Sequence, residues 1–212
     1  MKLYSTILKE AYSEQVILKS RFICSMKPVS SKEEAELFIS EIRKKYKDAT
    51  HNVPSFVLGE KMEIVWASDD SEPQGTAGAP SLEVLTRNGL TNIVCVVTRY
   101  FGGTKLGTGG LVKAYQSSVK LALDNSIICE ATEMHVSQYM VDYNTYQKIE
   151  KMREKPFNVI EKEFQNEVKI TVISLKERIK ESQEIIENLS NGKAKLLSEE
   201  DKIINVPILE KI

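Results

Sequence analysis

Val97-Thr98-Arg99-Tyr100-Phe101-Gly102-Gly103-Thr104-Lys105-Leu106-Gly107-Thr108-Gly109-Gly110-Leu111-Val112 is the stretch on which the fold turns. It continues Ile93-Val94-Cys95-Val96, a run apolar on both faces, which predicts a central strand covered on two sides. Five glycines then fall within residues 102–110. Such density costs conformational entropy and suits backbone that turns tightly or lies close to a ligand. Leu111, Tyr115, Val119 and Ala122 recur at helical spacing and predict a helix after the loop. A loop that opens a helix offers unpaired amides and a positive dipole end, which favour phosphate. Arg99 and Lys105 add positive charge there, and Tyr100 or Phe101 offers a ring on which a base could stack. The lysine precedes the last glycines, so this is not a Walker A loop.

Working toward the N-terminus, Gly75-Thr76-Ala77-Gly78-Ala79-Pro80 opens a helix through Ser81–Leu85 that stops at Asn88-Gly89. Phe56-Val57-Leu58 and Glu63-Ile64-Val65-Trp66 read as a strand pair. Ser30-Ser31-Lys32-Glu33-Glu34 offers a capping box for an amphipathic helix over about residues 31–47. Val16-Ile17-Leu18 and Phe22-Ile23-Cys24 read as one or two strands. Beyond Cys129 the pattern restarts: a strand around 134–140, a helix over 143–155, and a hairpin turning at Gln165-Asn166. A helix through Ile179, Ile186 and Leu189 and a strand over 203–208 follow. This β-α-β-β-α-β order predicts a ferredoxin-like unit. The expected domains are therefore 1–129 and 130–212, in an α+β chain.

Between the strand pair and the next helix lies Ser68-Asp69-Asp70-Ser71-Glu72-Pro73-Gln74-Gly75. Asp69, Asp70 and Glu72 crowd negative charge, which calls for a cation, a basic partner, a helix N-terminus or solvent. Mg²⁺ is the one cofactor such a trio would take, through carboxylates and substrate phosphates. No cofactor is otherwise expected. His51 is a candidate base, although no nucleophile motif accompanies it; a loop carbonyl partner is the blander reading. His135 reads as structural or exposed; Trp66 could stack on a base, and a core place is the preferred reading for it.

Composition narrows the classes. Net charge is −1; residues 1–128 carry 16 basic and 14 acidic side chains, residues 129–212 carry 13 and 16. Neither half is a strongly basic module, so nucleic-acid binding would have to come from local clusters. Cys24, Cys95 and Cys129 have neither disulfide nor zinc spacing. No run approaches membrane-spanning length and no secretory signal is read, so the expectation is a cytosolic chain without a membrane partner.

Two segments resemble the YigZ/IMPACT family. Residues 68–80 match its S-D-D-G-E-P-x-G-T-A-G-x-P element, and residues 97–112 its V-T-R-Y-F-G-G-x-K-L-G-x-G-G-L-V signature. Ser20-Arg21-Phe22-Ile23 and Ala49-Thr50-His51-Asn52 support the match. Ser71 departs from the family's glycine, so the turn either avoids positive φ or tolerates it at a cost. Val53-Pro54-Ser55 departs as well, from a segment that more usually carries Cys or Tyr. The resemblance implies an N-terminal domain of the ribosomal-protein/small-molecule-kinase type, with a left-handed β-α-β crossover. It also implies a second domain similar to the last domain of elongation factor G. Eukaryotic relatives restrain a kinase that inhibits translation initiation, so the resemblance implies a translation-linked role.

Three readings follow. The first binds RNA or the ribosome through Arg99, Tyr100, Phe101, Gly102, Gly103, Lys105, Gly107, Gly109, Gly110 and His51. The second is a Mg²⁺-dependent enzyme on a phosphorylated small molecule or nucleotide. The third is a regulator whose C-terminal domain docks a protein partner. Oligomeric state stays open.

Overall fold

The structure, a computed structural model, describes residues 2–207. It is a mixed α/β protein with two five-stranded sheets and, among the described residues, five α-helices. The chain divides into one compact unit built from Leu3–Ala131 and another from Thr132–Ile204.

The first unit carries strands β1 (Lys2–Ile7), β2 (Ala11–Ile17), β3 (Ser20–Pro28), β4 (His51–Leu58), β5 (Ile64–Ala67) and β6 (Ile93–Tyr100). Its helices are α1 (Lys32–Lys45), α2 (Gly78–Arg87) and α3 (Gly107–Asp124). The sheet order is β2-β3-β6-β4-β5, which makes β6 the central strand. Both β3 and β4 run antiparallel to β6 and are therefore parallel to each other, joined by α1 in a β-α-β crossover. Pleating sorts the apolar residues of β6 by parity. Ile93, Cys95 and Val97 pack with Leu85 of α2 and with Leu111, Tyr115 and Val119 of α3. Val94 and Val96 pack with Ala35, Phe38, Ile39 and Ile42 of α1. On the first of these faces the Cys24 and Cys95 sulfurs lie 3.4 Å apart, both fully buried.

Local chemistry explains several ends. The Ser31 hydroxyl accepts from the Glu34 amide, and the Glu34 carboxylate accepts from the Ser30 amide at 2.7 Å. The capping box is thus closed by both serines. β2 and β3 form a hairpin turning through Leu18 and Lys19 at φ 44° and 68°. α3 begins at Gly107, so Gly107, Gly109 and Gly110 belong to its first turn and not to a loop.

The second unit follows the expected order: β7 (Ile128–Val141), α4 (Tyr143–Lys151), β8 (Phe157–Phe164), β9 (Val168–Ser174), α5 (Ile179–Ser190) and β10 (Lys195–Pro207). Its strands lie in the order β8-β9-β7-β10. α4 stops four residues before the expected Lys155, and Asn191 at φ 51° ends α5. β10 starts at Lys195, well before the expected Ile203, whereas the expected end at Ile208 lies outside the described residues. β1, to which the sequence reading assigns no element, pairs with β7.

Candidate functional site

Parity carries Arg99 onto the α2–α3 face of the sheet, because it continues the row Ile93, Cys95, Val97. His51 is its register partner on β4. The acidic turn between β5 and α2 supplies Glu72, so residues from the two singled-out segments meet. The Arg99 Nη1 donates to Glu72 Oε1 at 2.7 Å, with both side chains more than nine-tenths buried. The Tyr115 hydroxyl donates to the same oxygen at 2.8 Å. Burial, reinforced by the Glu72 carboxylate, pushes the Tyr115 phenol well above its ordinary range and keeps it a donor. The guanidinium lies 5.4 Å from the Phe22 ring centroid and 5.5 Å from that of Phe101. These faces accompany its Nε, which has no acceptor among the described residues.

His51 Nδ1 lies 2.7 Å from the Asp70 carbonyl oxygen, which can only accept. Nδ1 therefore carries the proton, and in the neutral ring Nε2 is left as a lone pair. It lies 3.8 Å from Glu72 Oε1. The loop-carbonyl reading of His51 holds, and a Glu72 carboxylate already neutralised by Arg99 stands beside the free nitrogen.

The three clustered acids are each engaged. Asp69 accepts from the amides of Gly75, Ala77 and Gly78 at 2.7–3.1 Å. Burial pushes its carboxyl up, but those three amides outweigh burial and hold it below the ordinary value. Asp70 accepts from Arg43 at 3.0 Å and from the Asn52 amide at 2.7 Å. Glu72 holds Arg99 and Tyr115. Each of the three carboxylates offered as Mg²⁺ ligands, Asp69, Asp70 and Glu72, is directed to a different protein donor. Among the described residues no group of three or more His, Cys, Asp or Glu could hold a metal.

The basic and glycine-rich residues separate into two kinds. Arg99 is 5% exposed and committed to Glu72, so it organises the cleft from inside and does not reach outward to a phosphate. The Tyr100 hydroxyl donates to Asp48 at 3.0 Å, under the Arg21 guanidinium. Gly102 is required by packing, since a Cβ there would fall 2.0 Å from the Lys19 carbonyl. Gly110 faces the Leu106 side chain. Gly103, Gly107 and Gly109, by contrast, have open space where a Cβ would stand. Lys105 is exposed and holds no ion pair among the described residues, and Phe101 is 46% exposed. The α3 N-terminus has no side-chain cap and no acidic residue in its first turn.

Ser20, Asn52 and Tyr115 complete the site without having been assigned a role in it. Ser20 Oγ accepts from the Gly102 amide, and Thr98 donates to Asn52 Oδ1 at 2.7 Å. The signal for Tyr115 was its place on the core face of a helix, where a buried phenol needs an acceptor.

The match to known proteins spans the stretch that holds these residues. A family model described as the Impact N-terminal domain matches residues 18–123. IMPACT family member YvyE of Bacillus subtilis (strain 168) is 41% identical over 192 residues, 90% of this chain and 88% of that protein. The chain belongs to the IMPACT family. A second IMPACT family member, YigZ of Escherichia coli (strain K12), is 33% identical over 188 residues, 87% of this chain and 92% of that one. A crystal structure of a hypothetical protein, 31% identical, superposes with a TM-score of 0.60 over 93% of this chain and 98% of that one. Among the described residues of this IMPACT chain, no helix is long and apolar enough to cross a membrane.

Proposed function

We propose that this IMPACT protein is a translation-linked binding factor that takes RNA phosphates, in the context of the ribosome, at the N-terminus of α3. The observation that carries the reading is the uncapped first turn of α3, opened by Gly107 and Gly109 beside Lys105, which holds no ion pair among the described residues. Free amides at a helix start favour phosphate, and the lysine adds a mobile charge. Phe101 supplies an exposed ring on the same loop. The buried Arg99–Glu72–Tyr115 cluster acts as the frame that fixes where this loop leaves the sheet. The translation link rests on the family resemblance, not on the geometry.

Co-sedimentation with ribosomes across a salt series tests the reading, comparing wild type with Lys105→Ala. Arg99 is left intact because its loss would strand Glu72. The variant is expected to bind more weakly, with the slope of log K against log salt shallower by about 0.7. Identical curves for the two proteins would refute the site.

A further inference from the structure

On the opposite face of the first unit's sheet, α1 and the edge of the sheet enclose a groove of about 790 Å³. Its floor holds Phe56 of β4 and Trp66 of β5, which are register partners with rings stacked 5.2 Å apart at 24°. From sequence, Trp66 is a candidate for base stacking for which a core place is preferred. The structure leaves it 44% exposed, because β5 is a four-residue edge strand with no neighbour on one side.

The wall is α1, and its charge is one-sided. Lys32, Arg43, Lys44 and Lys47 line the groove against one carboxylate, Glu36. Glu36 is paired with Lys32 at 3.4 Å and Arg43 with Asp70 at 3.0 Å. Lys44 and Lys47 are exposed and hold no ion pair among the described residues. Basic residues in a last helical turn complement the dipole, which accounts for Arg43, Lys44 and Lys45 by itself. It does not account for Lys47, beyond the helix end, or for an open indole at the foot of the same wall. Cations tracking along a groove with an aromatic platform at its base are the chemistry that takes a single-stranded polynucleotide.

We propose that this groove is a second polynucleotide contact, in which a base stacks on Trp66 while Lys44, Lys47 and Arg43 meet the adjoining phosphates. The inference deepens the RNA reading but uses none of the residues of the α3 site. The two can therefore fail separately.

Trp66 is the single tryptophan of the chain, so intrinsic fluorescence reports this groove alone. Titration of the full-length protein with a short oligouridylate is expected to quench that fluorescence saturably at low salt. The Lys44→Ala/Lys47→Ala variant should bind with a slope in log salt shallower by about 1.4. Trp66→Leu, which keeps an apolar side chain on Phe56, should weaken binding of fluorescently labelled oligouridylate roughly tenfold by anisotropy. Lys105→Ala should leave the quench intact whether or not it alters ribosome binding. Absence of quenching at low salt would overturn the proposal. So would heparin, a polyanion without bases, binding as tightly as the RNA with no dependence on Trp66. Loss of the quench in Lys105→Ala would also overturn it, since the groove would then not be a separate site.

Discussion

Glu72 shows what one side chain does when its surroundings are dry. It neutralises Arg99, accepts from Tyr115, and stands beside the free nitrogen of His51. Removing one partner of a buried ion pair leaves the other charge unpaired, at a cost of about 3–5 kcal/mol. Urea unfolding of Glu72→Gln is expected to report a loss of that size. The paired change Glu72→Gln/Arg99→Met should cost clearly less than the sum of the two single changes. In the two positions before Glu72, Asp70 and Ser71 sit at φ 46° and 70°. The turn therefore tolerates positive φ without glycine, which for an L residue costs about 1–2 kcal/mol. Ser71→Gly, restoring the residue usual in the family, should stabilise the protein by about 1 kcal/mol, visible as a raised urea midpoint with an unchanged slope. The presence of an acidic turn was legible in the sequence. The burial of Arg99 was not, because its partner lies 27 positions away. Only the parity of β6 hinted at it.

Among the elements, α2 is started in an indirect way. Its N-cap, Ala77, has no side chain to offer, and Asp69 reaches the amides of Ala77 and Gly78 from outside the helix. Because these bonds depress the folded carboxyl's pKa, the contribution to stability is fully present above the unfolded value, about 3.9. It disappears as pH falls through the lower folded value. Melting curves of wild type and Asp69→Asn should therefore differ at pH 7 and converge as pH drops below about 4. Equal melting temperatures for the two proteins at pH 7 would mean the amides do not govern this carboxylate. α1, α3 and β6 were readable because each leaves a strong periodic imprint of its core face. The early part of β10 was not: its residues are exposed from Lys195 through Ile203, and Glu199-Glu200-Asp201-Lys202 resembles a charged loop. β1 was missed for a related reason, since it is short and only Thr6 and Ile7 are fully buried.

For the whole molecule, charge sets the kind of association to expect. A net of −1 gives no long-range pull toward a polyanion, so attraction must arise from a few local cations. Lys105 just before α3, Arg43 and Lys44 on α1 and Lys47 just beyond it amount to about four phosphate contacts. At about 0.7 per contact on single strands, the overall slope of log K against log salt should lie near −3. A slope beyond about −6 in the ribosome co-sedimentation series would mean that a much larger basic surface takes part. The split of the fold into units leaves each with its own core, one built around β6 and one around β7 and β9.

The sulfur atoms packed against β6 have a practical consequence. All three cysteines are buried, and all lie within residues 3–131, at positions 24, 95 and 129. Burial pushes the Cys24 and Cys129 thiols above their ordinary range, which removes the thiolate that alkylating reagents attack. Labelling must then wait for transient opening, so its rate is a clock for local unfolding of the first unit. The second unit, which takes up β7 only from Thr132 onward, has no thiol and is silent in such an experiment.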